Sequence, residues 1–169
     1  MNRRLFTLNM LSVGLVTTGI LLTGCTVAQG PSIETGTDTA RQVATAHELT
    51  VFRSPTCGCC GLWIEHMQAA GFQVKDEIIE DMVAIKQQYD VPTSLASCHT
   101  TIVDGYVVEG HIPAEDVQRL LAEKPDVVGI AVPGMPIGSP GMESGDYVEP
   151  YTVFSFLEDG TTAAFAEHS

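Results

Sequence analysis

Three of the chain's five cysteines fall within four residues, at Cys57, Cys59 and Cys60 of the stretch Arg53-Ser54-Pro55-Thr56-Cys57-Gly58-Cys59-Cys60-Gly61-Leu62-Trp63. Packing alone seldom asks for thiols at that density. Cys57 and Cys60 form a C-x-x-C pair with Cys59 as an extra thiol between them, so disulfide exchange and metal binding are both open to the cluster. Upstream, His47 to Phe52 reads as a short strand; downstream, Cys60, Trp63, Ile64, Met67 and Ala70 recur at helical spacing. The cysteines therefore occupy a strand-to-helix turn, where unpaired backbone N–H groups and the helix dipole favour negative charge and lower a thiol's pKa. The thiolate is the form that binds metals and attacks disulfides.

Among metals, Cu(I) is soft and prefers thiolate and thioether, and adjacent thiolates bridge several such ions, which three sulfurs in four residues favour. A single zinc held by four thiolates is the competing metal reading, since the spacing does not exclude a tetrahedral site. The fourth thiol of that set is Cys98, in a loop ahead of a predicted strand. A lone cysteine there would read as buried packing; beside a three-cysteine turn it reads as a converging ligand. His99 is its neighbour, and His111 ends the following hairpin just before a helix; either is placed to reach the site, and a hydrogen-bonded structural histidine is the alternative for each, since neutral imidazole is both a copper ligand and an ordinary partner. Met135 and Met142 lie in a Gly/Pro-rich loop with little helical or strand signal, which reads either as a thioether lid or as a loop packed over the thiols. His66, seven residues after Cys59 on one helix and roughly 10 Å along its axis, is too far to share an ion and reads as a surface or packing histidine. Met67 and Met82 fall on apolar helical faces and read as core. Nothing is assigned to His47 or His168, near the domain ends.

The elements that must hold these groups alternate. Phe72 to Ile79 reads as a second strand, and Met82, Ile85 and Tyr89 mark a second helix. Thr100 to Val103, the Asp104-Gly105 turn and Tyr106 to Gly110 read as a hairpin. Pro113 opens a third helix with Glu115 and Asp116 at its positive end, and Pro125 closes it. The resulting β-α-β-α-β-β-α order predicts an α/β domain of thioredoxin-like type, a mixed four-stranded sheet flanked by helices, with the cysteines at its first strand-to-helix turn. Val127 to Val132, Tyr151 to Leu157 and Ala163 to Ala166 add strands at the C-terminal end.

The chain's start bears on compartment. Arg3 and Arg4 precede an apolar run from Leu5 to Leu22, closed by Leu22-Thr23-Gly24-Cys25. This resembles a bacterial lipoprotein signal, residues 1–24, with Cys25 as the acylated first residue of the mature chain; Arg3-Arg4-Leu5-Phe6 also resembles a twin-arginine signal. The segment 25–46 then comprises the acylated cysteine and a flexible tether, rich in Thr, Gly, Ala and Gln and spanning on the order of 25 Å as coil. Residues 47–169 form one domain of ordinary size, large enough for a core without disulfides. The expected placement is the bacterial cell envelope, lipid-anchored and facing the periplasm; Thr26, next to the cysteine, favours the outer membrane. The formal net charge is −13 and becomes −15 without residues 1–24. That acidity argues against nucleic acid and against charge-driven docking on anionic lipid.

Four motifs, Cys57-Gly58-Cys59-Cys60, Ser97-Cys98-His99-Thr100, Glu109-Gly110-His111-Ile112-Pro113-Ala114 and Met135-Pro136-Ile137-Gly138-Ser139-Pro140-Gly141-Met142-Glu143, occur in the order that resembles the CopG-like metal-binding proteins of bacterial copper resistance. The resemblance covers about residues 48–166. It implies a periplasm-facing thioredoxin-like domain that binds copper through its clustered cysteines, exchanges it with periplasmic copper-handling proteins and cycles between thiol and disulfide forms. Two other classes stay open on the residues alone: a thiol-disulfide oxidoreductase with Cys57 attacking and Cys60 resolving, and a structural domain with two disulfides.

Overall fold

The computed structural model describes residues 47–169. The expected signal at 1–24, the acylated Cys25 and the tether to residue 46 lie outside the described residues.

Chain order is β1 (Glu48–Arg53), α1 (Gly58–Ala69), β2 (Gln73–Ile78), α2 (Met82–Gln88), a 3-10 turn (Thr93–Leu95), β3 (His99–Val103), β4 (Tyr106–Glu109), α3 (Ala114–Glu123), β5 (Gly129–Ala131), β6 (Tyr151–Phe156) and β7 (Thr162–His168). One seven-stranded sheet carries all the strands of the described residues, in the order β2-β1-β3-β4-β5-β6-β7. Its first four are the expected thioredoxin-like unit: β1 runs parallel to β2 and antiparallel to β3, which turns back into β4. The β3-β4 turn uses Asp104 and Gly105, both at positive φ, as a tight hairpin of right-handed twist requires. The C-terminal strands extend this sheet: β5 joins β4 in parallel, and β6 and β7 follow antiparallel.

In the central strands, period-two alternation sends side chains to two covered faces. On one face, α1 and α3 pack Trp63, Met67, Val117 and Leu120 against Leu49, Val51, Val103, Val108 and Ile130. Helix α1 buries Cys60, Trp63, Ile64 and Met67, the i, i+3, i+4, i+7 stripe seen in the sequence. The opposite face is covered by a smaller cluster of Val91, Leu95, Val107, Ala131 and Phe156. Burying an aliphatic side chain stabilises by about 1.5–3 kcal/mol, so the α1/α3 face supplies most of the hydrophobic stabilisation.

Helix α2 departs from expectation. It forms, with the Asp81 side chain accepting from the Ala84 amide at 3.0 Å, but it buries no residue fully, and Met82 is half-buried rather than core. Seven residues make a helix only about 10 Å long. It meets the sheet through Tyr89, whose ring lies tilted 5.7 Å from that of Phe52, and through Lys86. Helix α3 begins after Pro113, carries Glu115 and Asp116 in its first turn, and ends at Lys124, whose φ of 48° closes the last turn ahead of Pro125.

Candidate metal centre

Cys57 is the N-cap of α1. Its backbone is extended and its side chain makes no capping hydrogen bond, so a sulfur stands where a Ser or Asp oxygen ordinarily sits. Ser54 folds the approach: its carbonyl accepts from the Cys57 amide at 3.1 Å and its hydroxyl from the Thr56 amide at 3.2 Å. One turn of helix then places Cys60 inward, fully buried, and Cys59 half-buried, its Sγ 3.6 Å from that of Cys57. Cys57 and Cys60 are joined as a disulfide, with Cα atoms 5.4 Å apart, while Cys59 and Cys98 are free thiols.

The sulfurs of Cys57, Cys59, Cys60 and Cys98 all lie within 4.8 Å of one another. Convergence of the fourth thiol with the turn is thus present in the fold. Cys98 precedes β3, which pairs with β1 in a register that sets His99 opposite Arg53, the residue leading into the cysteine turn. Burial, then the neighbouring Cys59, pushes the Cys98 thiol up to about 12. An ion bound there must displace its proton.

A second group shares one of these sulfurs. Cys60, His99 and His111 present ligand atoms within 4.8 Å of one another, and all three are buried. Alternation along β3 turns His99 onto the α1 face, where its ring lies 4.4 Å from Trp63 and 5.0 Å, edge-on, from His111. His111 arrives there through Gly110, whose φ is 84°; a Cβ at that position would stand 2.6 Å from the Ser97 Cβ and 2.8 Å from the Val132 carbonyl oxygen. Only glycine fits that corner.

The ring nitrogens are unevenly satisfied. His111 Nδ1 lies 2.8 Å from the Pro140 carbonyl. A carbonyl only accepts, so Nδ1 carries the proton and Nε2 keeps its lone pair. That Nε2 is buried without a partner, as are both ring nitrogens of His99. Burial holds His111 below the usual histidine range; burial, followed by the proximity of His111, holds His99 well below it. Both imidazoles are therefore neutral. Buried nitrogen lone pairs left unpaired are costly in a folded protein, and neutral imidazole oriented by a carbonyl at its other nitrogen is the usual form of a metal-binding histidine. The donor set of sulfur and imidazole fits a soft or borderline ion.

The methionines sit on the segment that covers this region. Met135 is half-exposed and follows Gly134, which is bridged to Ser97. Met142 follows Gly141, which packs so tightly on α1 that an added Cβ would stand 2.8 Å from the Cys59 carbonyl oxygen and from the Trp63 amide. Each is one residue from a contact with a cysteine-bearing segment. His66 lies outside both ligand groups; its Nε2 accepts from the Ala114 amide at 3.1 Å, making it the structural histidine expected. His168 pairs with Asp116 at 2.6 Å and His47 with Asp104 at 2.7 Å.

Two solved structures, those of "Copper resistance protein copG" in its Form 2 and Form 1, match this architecture. The first is 47% identical, covers 73% of this chain and 99% of its own, and superimposes with a TM-score of 0.71; the second is 48% identical, with 72%, 96% and 0.69. The chain belongs to the CopG copper-resistance family. A family model described as a protein of unknown function, DUF411, matches residues 95–142 of this CopG-family chain. That span carries Cys98, both buried histidines, Pro140 and Met142. No curated protein matches.

Two residues that sequence reasoning left without a role stand beside the centre. Glu109, quoted only as part of a motif, is fully buried on the α2 face, where Lys86 meets it. The signal was in β4: in Tyr106-Val107-Val108-Glu109 the acid falls in the alternation register of Val107, an inward position.

Proposed function

We propose that this protein holds Cu(I) outside the cytoplasm for copper resistance, as a thiolate-bridged site of more than one ion built on Cys57, Cys59, Cys60 and Cys98 and backed by His99 and His111. The observation that carries this reading is the meeting of four sulfurs with two fully buried, neutral imidazoles whose free nitrogens have no protein partner, in a CopG-family chain. Met135 and Met142 are the thioether candidates on the covering segment. In the envelope, Cys25 anchors the chain through lipid, the tether spaces the domain from the membrane, and the partners are copper ions and periplasmic proteins that load or empty the site.

The Cys57–Cys60 disulfide supports a second role for the same sulfurs, thiol-disulfide exchange. Closing that bond from two metal-bound thiolates passes two electrons to an external oxidant and takes both sulfurs from the metal; closing it from the metal-free dithiol releases two protons as well. Copper and disulfide are therefore competing states. Anaerobic titration of reduced residues 26–169 against a Cu(I) chelator tests the main reading: more than one Cu(I) per chain is expected, with oxidation expelling it. Saturation at one ion, or preferred uptake of Zn(II) with no multi-copper species, overturns it.

A further inference from the structure

We propose that the buried Lys86–Glu109 ion pair is the positioning device of the metal centre, clamping the Cys98–His99 segment from the opposite face of the sheet. Glu109 has no solvent exposure, yet both its oxygens are occupied. Oε1 accepts from Lys86 Nζ at 2.5 Å and from the Ser97 amide at 2.6 Å; Oε2 accepts from Thr100 Oγ1 at 2.7 Å. Lys86 Nζ also donates to Thr100 Oγ1 at 3.2 Å. Ser97 and Thr100 bracket Cys98 and His99. One carboxylate therefore grips the chain on both sides of two proposed ligands.

Strand alternation makes this arrangement work. His99 faces α1 and the sulfurs, so Thr100 faces α2, where Glu109 also points. The clamp thus never competes with the metal for space. Two further bonds fix the same segment: the Ser97 hydroxyl donates to the Gly134 carbonyl, and the Gly110 amide to the His99 carbonyl at 3.0 Å. A buried carboxylate without a counter-charge would be expelled or protonated, which gives α2 its purpose. That helix buries no residue fully, but it delivers Lys86, whose side chain is 15% exposed. Hydrogen bonds to a charged acceptor are shorter and about twice as strong as neutral ones, so the pair trades desolvation cost for a sharply defined loop.

The proposal rests on the Cu(I) reading for its affinity measurement only. Cu(I) competition is measured on wild type, Lys86→Met, Lys86→Arg, Cys98→Ala and the Lys86→Met/Cys98→Ala double variant. Exchange of the Ser97 amide is followed by NMR in the reduced, metal-free proteins. A residue acting through Cys98 gives non-additive effects. Lys86→Met should weaken Cu(I) binding at least about tenfold in the wild-type background and by a clearly smaller factor once Cys98 is gone and only His99 remains to be positioned. Lys86→Arg, keeping the charge, should restore most of the affinity, and Ser97 exchange should accelerate in Lys86→Met but not in Cys98→Ala. If Lys86→Met does not fold, Thr100→Val, which removes one donor, should give the same pattern at smaller size. Equal weakening with and without Cys98, or no weakening, overturns the clamp. Wild-type protein that binds no Cu(I) defeats the copper reading instead, and Ser97 exchange then decides the clamp alone: an unchanged rate overturns it.

Discussion

Cys59 is the sulfur that separates the two chemistries of the cluster, because the disulfide joins its neighbours and leaves it free. Cys59→Ser should weaken Cu(I) binding by about tenfold or more while the Cys57–Cys60 bond still closes, whereas Cys60→Ser should damage both, since Cys60 belongs to the bond and to both ligand groups. Chelator competition alongside mass mapping of disulfides reads the two effects separately. A second prediction concerns His99, whose ring nitrogens are buried and unpaired. His99→Phe keeps an aromatic ring against Trp63 and removes the unsatisfied polar atoms, so the metal-free protein should gain about 1 kcal/mol in denaturant unfolding while copper retention falls. A loss of stability with copper binding intact would assign the ring a purely structural role. At this scale the sequence was informative where chemistry is local. Cys57, Cys59 and Cys60 announce themselves by spacing, but the proton placement on His111 depends on Pro140, which no spacing rule connects to it.

The elements were legible wherever a local signal punctuates them: Asp104-Gly105 for the hairpin, Pro113 and Pro125 for α3, the Cys60-to-Met67 stripe for α1. Helix α2 was legible as a helix but not in its burial, because its apolar spacing meets only the small cluster on the second face. The stretch from Pro133 to Pro150 was legible as a Gly/Pro-rich loop but not in its course. Its Gly and Pro residues carry no periodicity, and its course is set by distant contacts, Gly134 on Ser97, Pro140 on His111 and Gly141 on α1. Gly141→Ala tests that last contact. With φ at +83° and no room for a Cβ, the substitution should cost about 1–3 kcal/mol of stability. It should also weaken Cu(I) binding by lifting the covering segment from Cys59, and chemical unfolding with chelator competition on one preparation checks both. Unchanged values in both would place the segment's hold elsewhere.

For the molecule as a whole, the sequence conveyed the thioredoxin-like order of the first four strands and the presence of three more, but not that all seven share one sheet, since β5-to-β4 pairing is a long-range choice. The far edge is secured by side chains from both ends of the domain: Tyr151 stacks at 4.9 Å on His168, which binds Asp116 of α3. Burial, then Asp116 and Glu115, pushes the Tyr151 hydroxyl up to about 12. The unfolded chain's tyrosine ionises near 10, so between these values the unfolded state sheds a proton that the folded state keeps, and stability falls as pH rises. Wild type should lose stability relative to Tyr151→Phe across that window and not below it, as denaturant midpoints at successive pH values would reveal; parallel curves would disprove the linkage. The course of the chain through the centre carries one more consequence. Every thiol and both buried imidazoles of the centre are encoded by residue 111, yet the carbonyl that sets the His111 proton comes 29 residues later. A chain cut after Val132 would keep a complete inventory of sulfur and imidazole donors, with the His111 lone pair no longer aimed.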